Sequence, residues 1–387
     1  MSLKEKDKKY IANTYARFDV EIVSGKGSVV YDADGKRYID MGSGIGVTCF
    51  GIADDEWVNA VTAQLNKVQH MSNLYYTQPC VELAEMLCNA SGMKKVFFCN
   101  SGAEANECAI KAARKYAFEK KGSDCYRIVT LENSFHGRTV TTLAATGQAV
   151  FHKDFQPLTD GFLHTPANDL DAMKSIVREN SIAAIMIECI QGEGGVNPLT
   201  PEFVNGIAEI AREEDILLIV DEVQTGNGRT GEMYGYMNYG ITPDIVTTAK
   251  GLGGGLPLGA CMLGEKTEFV LGYGDHGSTY GGNPVACAGA VSVISRMNRG
   301  FLDAVKAKSE LVFKTLEGAE GIESVSGMGL MIGIQTVKPA KDVVAKCKEL
   351  GVLCLTAKSK VRLLPALNID EETLVEALNV IKSACAD

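Results

Sequence analysis

Residues 216–226 read ILLIVDEVQTG: five apolar residues, Ile216 to Val220, run without interruption into an acid, Asp221. An unbroken apolar run of this length suits a strand covered on both faces, as in a parallel sheet between helices. Asp221 then stands at a strand's carboxyl end, where open α/β sheets bind their ligands. The next apolar stretch, DIVTTAKG at 244–251, repeats the arrangement with a base, Lys250, ahead of the glycine-rich loop GLGGGLPLGA (251–260). A carboxylate withdrawn from water needs a cationic partner. A lysine in the same setting loses charge readily and becomes a nucleophile.

Working outward, strands are predicted at Val96–Cys99, Arg127–Leu131, Ala183–Ile190, Ile216–Val220, Asp244–Thr248 and Leu258–Leu263. Segments of helical period lie between them, which is the pattern of a mostly parallel α/β sheet. Gly102 to Lys120 places Ala105, Ala109, Ala112, Ala113 and Tyr116 on one face, and Thr200-Pro201 reads as an N-cap with proline in the first turn. VVYDADGKRYID (29–40) alternates around Ala33-Asp34-Gly35 as a β-hairpin, and Asp370 is placed to cap a closing helix from Glu371 to Ala384.

The chain has 387 residues, 46% hydrophobic and 22% charged, the composition of an ordinary folded protein. Its net charge of −10 would repel a phosphate backbone, which argues against nucleic-acid binding. The first ten residues, MSLKEKDKKY, contain six charges and no apolar core of a signal peptide, so a cytoplasmic protein is expected. No apolar run is long enough to span a membrane. The 12 cysteines are scattered without a C-x-x-C and are expected to be reduced, mostly buried thiols. Five dispersed histidines give no metal-binding spacing, so no metal is expected. The G-x-G-x-x-G at Gly272, Gly274 and Gly277 neither follows a clear strand nor opens a helix, which makes it a poor dinucleotide site.

In NSGAEANE (100–107) Ser101 and Gly102 stand between a strand and a long helix, so free backbone N–H groups and the helix dipole favour an anion such as phosphate. Aspartate, lysine and phosphate cradle together suggest pyridoxal phosphate: a lysine for its aldehyde, an acid for its pyridine nitrogen and a cup for its phosphate.

These motifs, with NTYARFDVEIVSGKG, SNLYYTQP, SFHGRT, IQGEGGV, DEVQTGNGRTG, TTAKGLGGGLPLGA, STYGGNP and VRLLPALNI, occur in order through nearly the whole chain. So read, the chain resembles the class III aminotransferases among the fold-type I pyridoxal-phosphate enzymes. The resemblance implies a seven-stranded, mostly parallel sheet in a large cofactor-binding domain (50–295), and a smaller α+β domain formed by 1–49 and 296–387. It implies that Lys250 bonds to the cofactor and moves the substrate's proton, Asp221 holds the pyridine nitrogen, and Gln224 meets the phenolic oxygen. Ser101, Gly102 and Ala103 would bind the phosphate, Phe135 would stack on the ring, and Thr279 would reach the site of a neighbouring subunit in a homodimer. Arg138 and Arg362 would take substrate carboxylates, with Glu193 pairing to Arg362 and releasing it for a dicarboxylate. Ser278, Tyr15, Asn197 and Glu188 are further expected to line the substrate site, while His136 is read as structural.

Two departures stand out: CFGIADDEWV (49–58) lacks the family's usual Gly-His and His-Pro pairs, and Cys189 replaces a common proline. Ile45 stands where ornithine-specific relatives carry tyrosine, which suits an acylated α-amino group. The implied substrates are therefore N2-acetylornithine and 2-oxoglutarate, with succinylornithine, ornithine, 4-aminobutyrate and N-succinyl-diaminopimelate as alternatives. A nucleotide-dependent oxidoreductase on a similar layered fold is the rival from another class.

Overall fold

The computed structural model describes residues 1–386. Its centre is a seven-stranded sheet ordered Lys95–Cys99, Gly259–Leu263, Ile245–Thr248, Leu217–Asp221, Ile182–Ile187, Arg127–Leu131 and Phe162–Thr165. All pairings are parallel except those of Gly259–Leu263, which runs antiparallel to both its neighbours. The fold class is α/β, with the seven strands that the resemblance implied.

The apolar runs are buried end to end because each strand serves two cores. Leu217 and Ile219 join Ala109, Ala112 and Ala113 of the Gly102–Lys121 helix on one face. Leu218 and Val220 point the other way, into a larger cluster with Phe203, Val204 and Ile207 of the Pro201–Glu213 helix. Thr200 caps that helix, accepting the Phe203 N–H at 3.2 Å, as its position ahead of Pro201 predicted.

The Ala183–Ile190 strand is shorter than predicted. It leaves the sheet after Ile187, and Ile190–Gln191 forms a separate two-stranded pairing with Asn197–Pro198. Continuous hydrophobicity shows burial and does not mark where a strand turns out of its sheet. Phe162–Thr165, absent from the predicted set, is an edge strand only partly buried along three of its four residues.

The remaining sheets are built from both ends of the chain. Ile22–Lys26, Val29–Asp32 and Arg37–Asp40 form an antiparallel meander, and Val352–Leu353 adds to it in parallel. The predicted hairpin at 29–40 is therefore present. Ile322–Met328, Met331–Thr336, Lys360–Leu363 and Leu355–Ala357 form a second four-stranded sheet. Asp370 caps the closing helix, accepting the Thr373 N–H at 2.8 Å. The 12 cysteines are free thiols, 10 of them buried. Among the described residues no helix is long and apolar enough to cross a membrane.

Gly259 pairs with Cys99 where the antiparallel strand meets the end of Lys95–Cys99. A methyl there would lie 2.9 Å from Cys99 Sγ and from the Ser101 carbonyl carbon. Backbone would have to move, so Gly259→Ala is expected to cost about 1–3 kcal/mol. The check is a lower urea midpoint at unchanged m-value.

Candidate active site

The parallel strands point their carboxyl ends at one edge of the sheet, and a cavity of about 470 Å³ opens there. Ser101, Gly102 and Ala103 follow Lys95–Cys99, Phe135 and Arg138 follow Arg127–Leu131, Glu188 follows Ile182–Ile187, Asp221 ends Leu217–Asp221 and Lys250 follows Ile245–Thr248; all line the cavity, as does Gln224. The antiparallel strand contributes its opposite end, through Leu256, Pro257 and Leu258.

Asp221 is almost fully buried, and both of its oxygens are hydrogen-bonded. Oδ2 accepts from His136 Nδ1 at 2.8 Å and from Asn106 Nδ2 at 2.8 Å, while Oδ1 accepts the Val223 N–H at 3.0 Å. Burial opposes protonation of His136, but the hydrogen bond to Asp221 and the charge of Asp221 prevail, so its pKa is raised. The partner that supports the buried acid is thus His136, whose other ring nitrogen is buried without a partner. His136, read from the sequence as structural, also lines the cavity. Asn106 was missed altogether, although a polar residue among the alanines of a buried helix face is a legible signal. It also donates to the His136 carbonyl at 2.7 Å and accepts from Thr247 Oγ1 at 2.6 Å, so helix, loop and strand share one network.

Lys250 adopts a left-handed backbone conformation, φ +46°, at the start of a short 3₁₀ turn. Burial lowers its ammonium pKa, partly offset by Glu193. Elsewhere on the cavity lining, the backbone N–H groups of Gly102 and Ala103 open the Gly102–Lys121 helix and have no acceptor within it. Ser101 caps the helix through Oγ, which accepts from the Glu104 N–H at 3.2 Å. Gly102 must remain glycine because a Cβ would come within 2.6 Å of Val223 Cγ1.

Phe135 borders the cavity beneath Arg138, whose guanidinium lies 5.6 Å from its ring centroid and 4.7 Å from that of Phe151. Arg362, on the Lys360–Leu363 strand, donates through Nη1 to Glu193 Oε1 at 2.5 Å and to Gln224 Oε1 at 3.2 Å. Its Nε is buried without a partner. Burial would raise the Glu193 carboxyl, but the charge and hydrogen bond of Arg362 hold it below its ordinary range.

Other expected residues lie apart. Ser278 and Thr279 line a separate hollow of about 420 Å³ with His70 and Asn73. Ser278 Oγ connects to the main cavity by accepting from Asn100 Nδ2 at 3.3 Å. Thr279 is exposed. Tyr15 is 74% exposed, stacks near Arg17 and does not reach the cavity. Asn197 accepts from Lys360 Nζ at 2.9 Å, outside the cavity lining. Ile45 lines a different hollow of about 390 Å³, in a turn with φ +67°, and Val47 takes the place at the main cavity.

Free amide donors, an aromatic face, a clamped carboxylate and a desolvated amine around one cavity fit a phosphorylated pyridine aldehyde. The Aminotransferase class-III family model matches residues 10–385. Over 387 residues the chain is 49% identical to the acetylornithine aminotransferase of Haemophilus ducreyi, covering 100% of this chain and 98% of that one. It superposes with a TM-score of 0.85 on N-acetylornithine aminotransferase from Stenotrophomonas maltophilia, at 33% identity over 99% of this chain and 98% of that one. The ornithine aminotransferase of Toxoplasma gondii gives a TM-score of 0.94 at 30% identity, covering 99% of this chain and 94% of that one.

Because the folded pKa of His136 is raised, its stabilising charge is fully present below the ordinary value of about 6.5 and is lost as pH rises through the folded value. His136→Asn is therefore expected to lower the urea midpoint more at pH 6 than at pH 9. A difference that stayed constant with pH would show an uncharged His136.

Proposed function

Since this chain belongs to the class III aminotransferases, we propose that it transfers the δ-amino group of N2-acetylornithine to 2-oxoglutarate, giving N-acetylglutamate 5-semialdehyde and glutamate. It is a pyridoxal-5′-phosphate-dependent transferase acting on small molecules, and the nucleotide-dependent oxidoreductase is thereby set aside. When bound, the cofactor would supply an aldehyde carbon that takes up the amino group in exchange for its oxygen, and a ring that withdraws electrons from the substrate carbon.

In this reading the N–H groups at Ser101, Gly102 and Ala103 bind the phosphate, with Thr279 of a second subunit completing that site in a homodimer. Asp221, held by His136 and Asn106, keeps a proton on the pyridine nitrogen, and Gln224 meets the ring oxygen. Phe135 supports the ring face. Lys250, with its charge disfavoured by burial, would hold the cofactor's aldehyde and, once released from it, would move a proton at the substrate carbon. Arg138 binds a carboxylate common to both substrates, and Ser278 bears on the site through Asn100. The reading also takes 50–295 as the cofactor-binding unit and 1–49 with 296–387 as the smaller unit, supported by the separate sheets those segments form. It places the protein in the cytoplasm.

The observation that carries the substrate assignment is the Arg362–Glu193 ion pair beside Lys250. Masking Arg362 leaves a pocket suited to an ω-amine with one carboxylate; releasing it provides a second fork for 2-oxoglutarate. The acetylornithine assignment follows relatives that carry that name at identities up to 49%. Free ornithine is the second reading, favoured by the likeness to the ornithine enzyme's structure.

Titration of the purified holoenzyme with N2-acetylornithine is expected to bleach its visible cofactor band, and 2-oxoglutarate to restore it. Bleaching by ornithine or 4-aminobutyrate alone would overturn the substrate. Lys250→Ala is expected to lose the band of the covalently held cofactor and transamination together, a fall of several orders of magnitude in kcat; transamination surviving in that variant would remove Lys250 from its role.

A further inference from the structure

We propose that Glu188 is a positioning residue that fastens two recognition loops to one buried carboxylate: the 135–138 loop carrying Phe135 and Arg138, and the 190–195 loop carrying Glu193. The proposal rests on the aminotransferase reading of the cavity. Glu188 directly follows the Ile182–Ile187 strand, is only 6% exposed and lines the cavity. Its Oε2 accepts the Phe135 N–H at 2.9 Å and its Oε1 accepts the Gly192 N–H at 3.4 Å. One side chain thereby joins segments that follow different strands of the sheet.

The register explains why this acid is free for the task. Ile187 pairs with Val220, so Glu188 comes beside Asp221 at the sheet edge. Asp221 takes the hydrogen bonds of His136 and Asn106, which leaves backbone amides for Glu188. A carboxylate offers an acceptor to each N–H, whereas a glutamine of the same length would turn an NH₂ donor toward one of them. Where water is excluded, that mismatch leaves a donor unpaired.

Each fastened amide leads to substrate-recognition groups. The Phe135 backbone sets the ring and the Arg138 guanidinium above it. Gly192 packs against Gln224 so closely that a Cβ would lie 2.6 Å from Gln224 Oε1, and that oxygen accepts from Arg362. The charged groups facing Glu188 are His136 from the 135–138 loop, Asp221 from the adjacent strand and Lys250 beyond the next strand. Burial, opposed by His136, pushes the Glu188 carboxyl up to about 7. Acidification through neutrality therefore removes an acceptor and loosens both loops.

The test compares wild-type holoenzyme with Glu188→Gln and Glu188→Asp. Hydrogen exchange at the Phe135 and Gly192 amides is measured without substrate, beside kcat and KM for each half-reaction across pH. In Glu188→Gln both amides are expected to exchange about 10-fold faster, and KM for amine and for 2-oxoglutarate to rise about 10-fold, with a smaller change in kcat. The rise in wild-type KM below pH 7 should disappear in Glu188→Gln and persist in Glu188→Asp, which keeps the charge. Should Glu188→Gln fail to fold, faster exchange at the two amides of Glu188→Asp, one methylene shorter, supports the role. Unchanged exchange at both amides, or a loss confined to kcat, overturns it. Because exchange is read without substrate, a wrong amine assignment leaves that result intact.

Discussion

A buried negative charge at the end of the central strand sets the terms for the rest of the site. Asp221 closes a strand whose side chains are all withdrawn from water, and an unpaired carboxylate there would cost several kcal/mol. The protein meets that demand with His136 from one loop and Asn106 from a helix, and Asn106 is itself held by Thr247 on the adjacent strand. Three elements are thereby oriented by one acid. Neighbouring Glu188 and Glu222 are also buried, and both carboxyls are pushed up to about 7 chiefly by desolvation. Glu222 faces away from the cavity chemistry and is satisfied by the Gly235 and Tyr236 amides. Three buried acids thus have separate partners: His136 and Asn106 for Asp221, the Phe135 and Gly192 amides for Glu188, and the Gly235 and Tyr236 amides for Glu222.

The recognition side of the cavity depends on a second junction. Arg362 belongs to the antiparallel sheet of the C-terminal part, yet its guanidinium ends on Glu193 and Gln224 at the edge of the central sheet. A guanidinium only 3% exposed, with one nitrogen lacking a partner, is poised to accept another planar anion. In the proposed reading the pair would join sheet-to-sheet packing to substrate choice, since Arg362 on the Lys360–Leu363 strand is bonded directly to Glu193.

Much of this was legible because strand ends concentrate chemistry. Asp221 and Lys250 stand out by their place after apolar runs, and Ser101–Gly102 by its place before a helix; the structure brings all of them to one cavity. Phe135, Arg138, Gln224, Glu193 and Arg362 came from the family resemblance, since nothing in their local spacing shows that they converge. Asn106 and the part played by His136 escaped because their partner lies far along the chain and no local pattern encodes a distant hydrogen bond. The exit of the chain at Glu188 escaped for a related reason: its apolar flanks, Ile187 and Cys189, read as one strand although only the first belongs to the sheet. Tyr15, Thr279 and Ile45 lie away from the cavity of this chain.

The pairing of Val352–Leu353 with Arg37–Asp40 bears on how the molecule is made. The amino-terminal meander has its fourth strand only when residue 352 exists, and Lys36 likewise finds the Glu349 carbonyl 313 residues further along. At roughly 5–20 residues per second of synthesis, the edge formed by Arg37–Asp40 stays open for about 15 seconds or more after it leaves the ribosome. During that interval it presents unpaired backbone donors and acceptors to any other nascent chain. The central sheet, whose strands all precede residue 264, can assemble first. The stitch between the two segments is then a late event, and its completion reports that the chain has been delivered at least as far as residue 353.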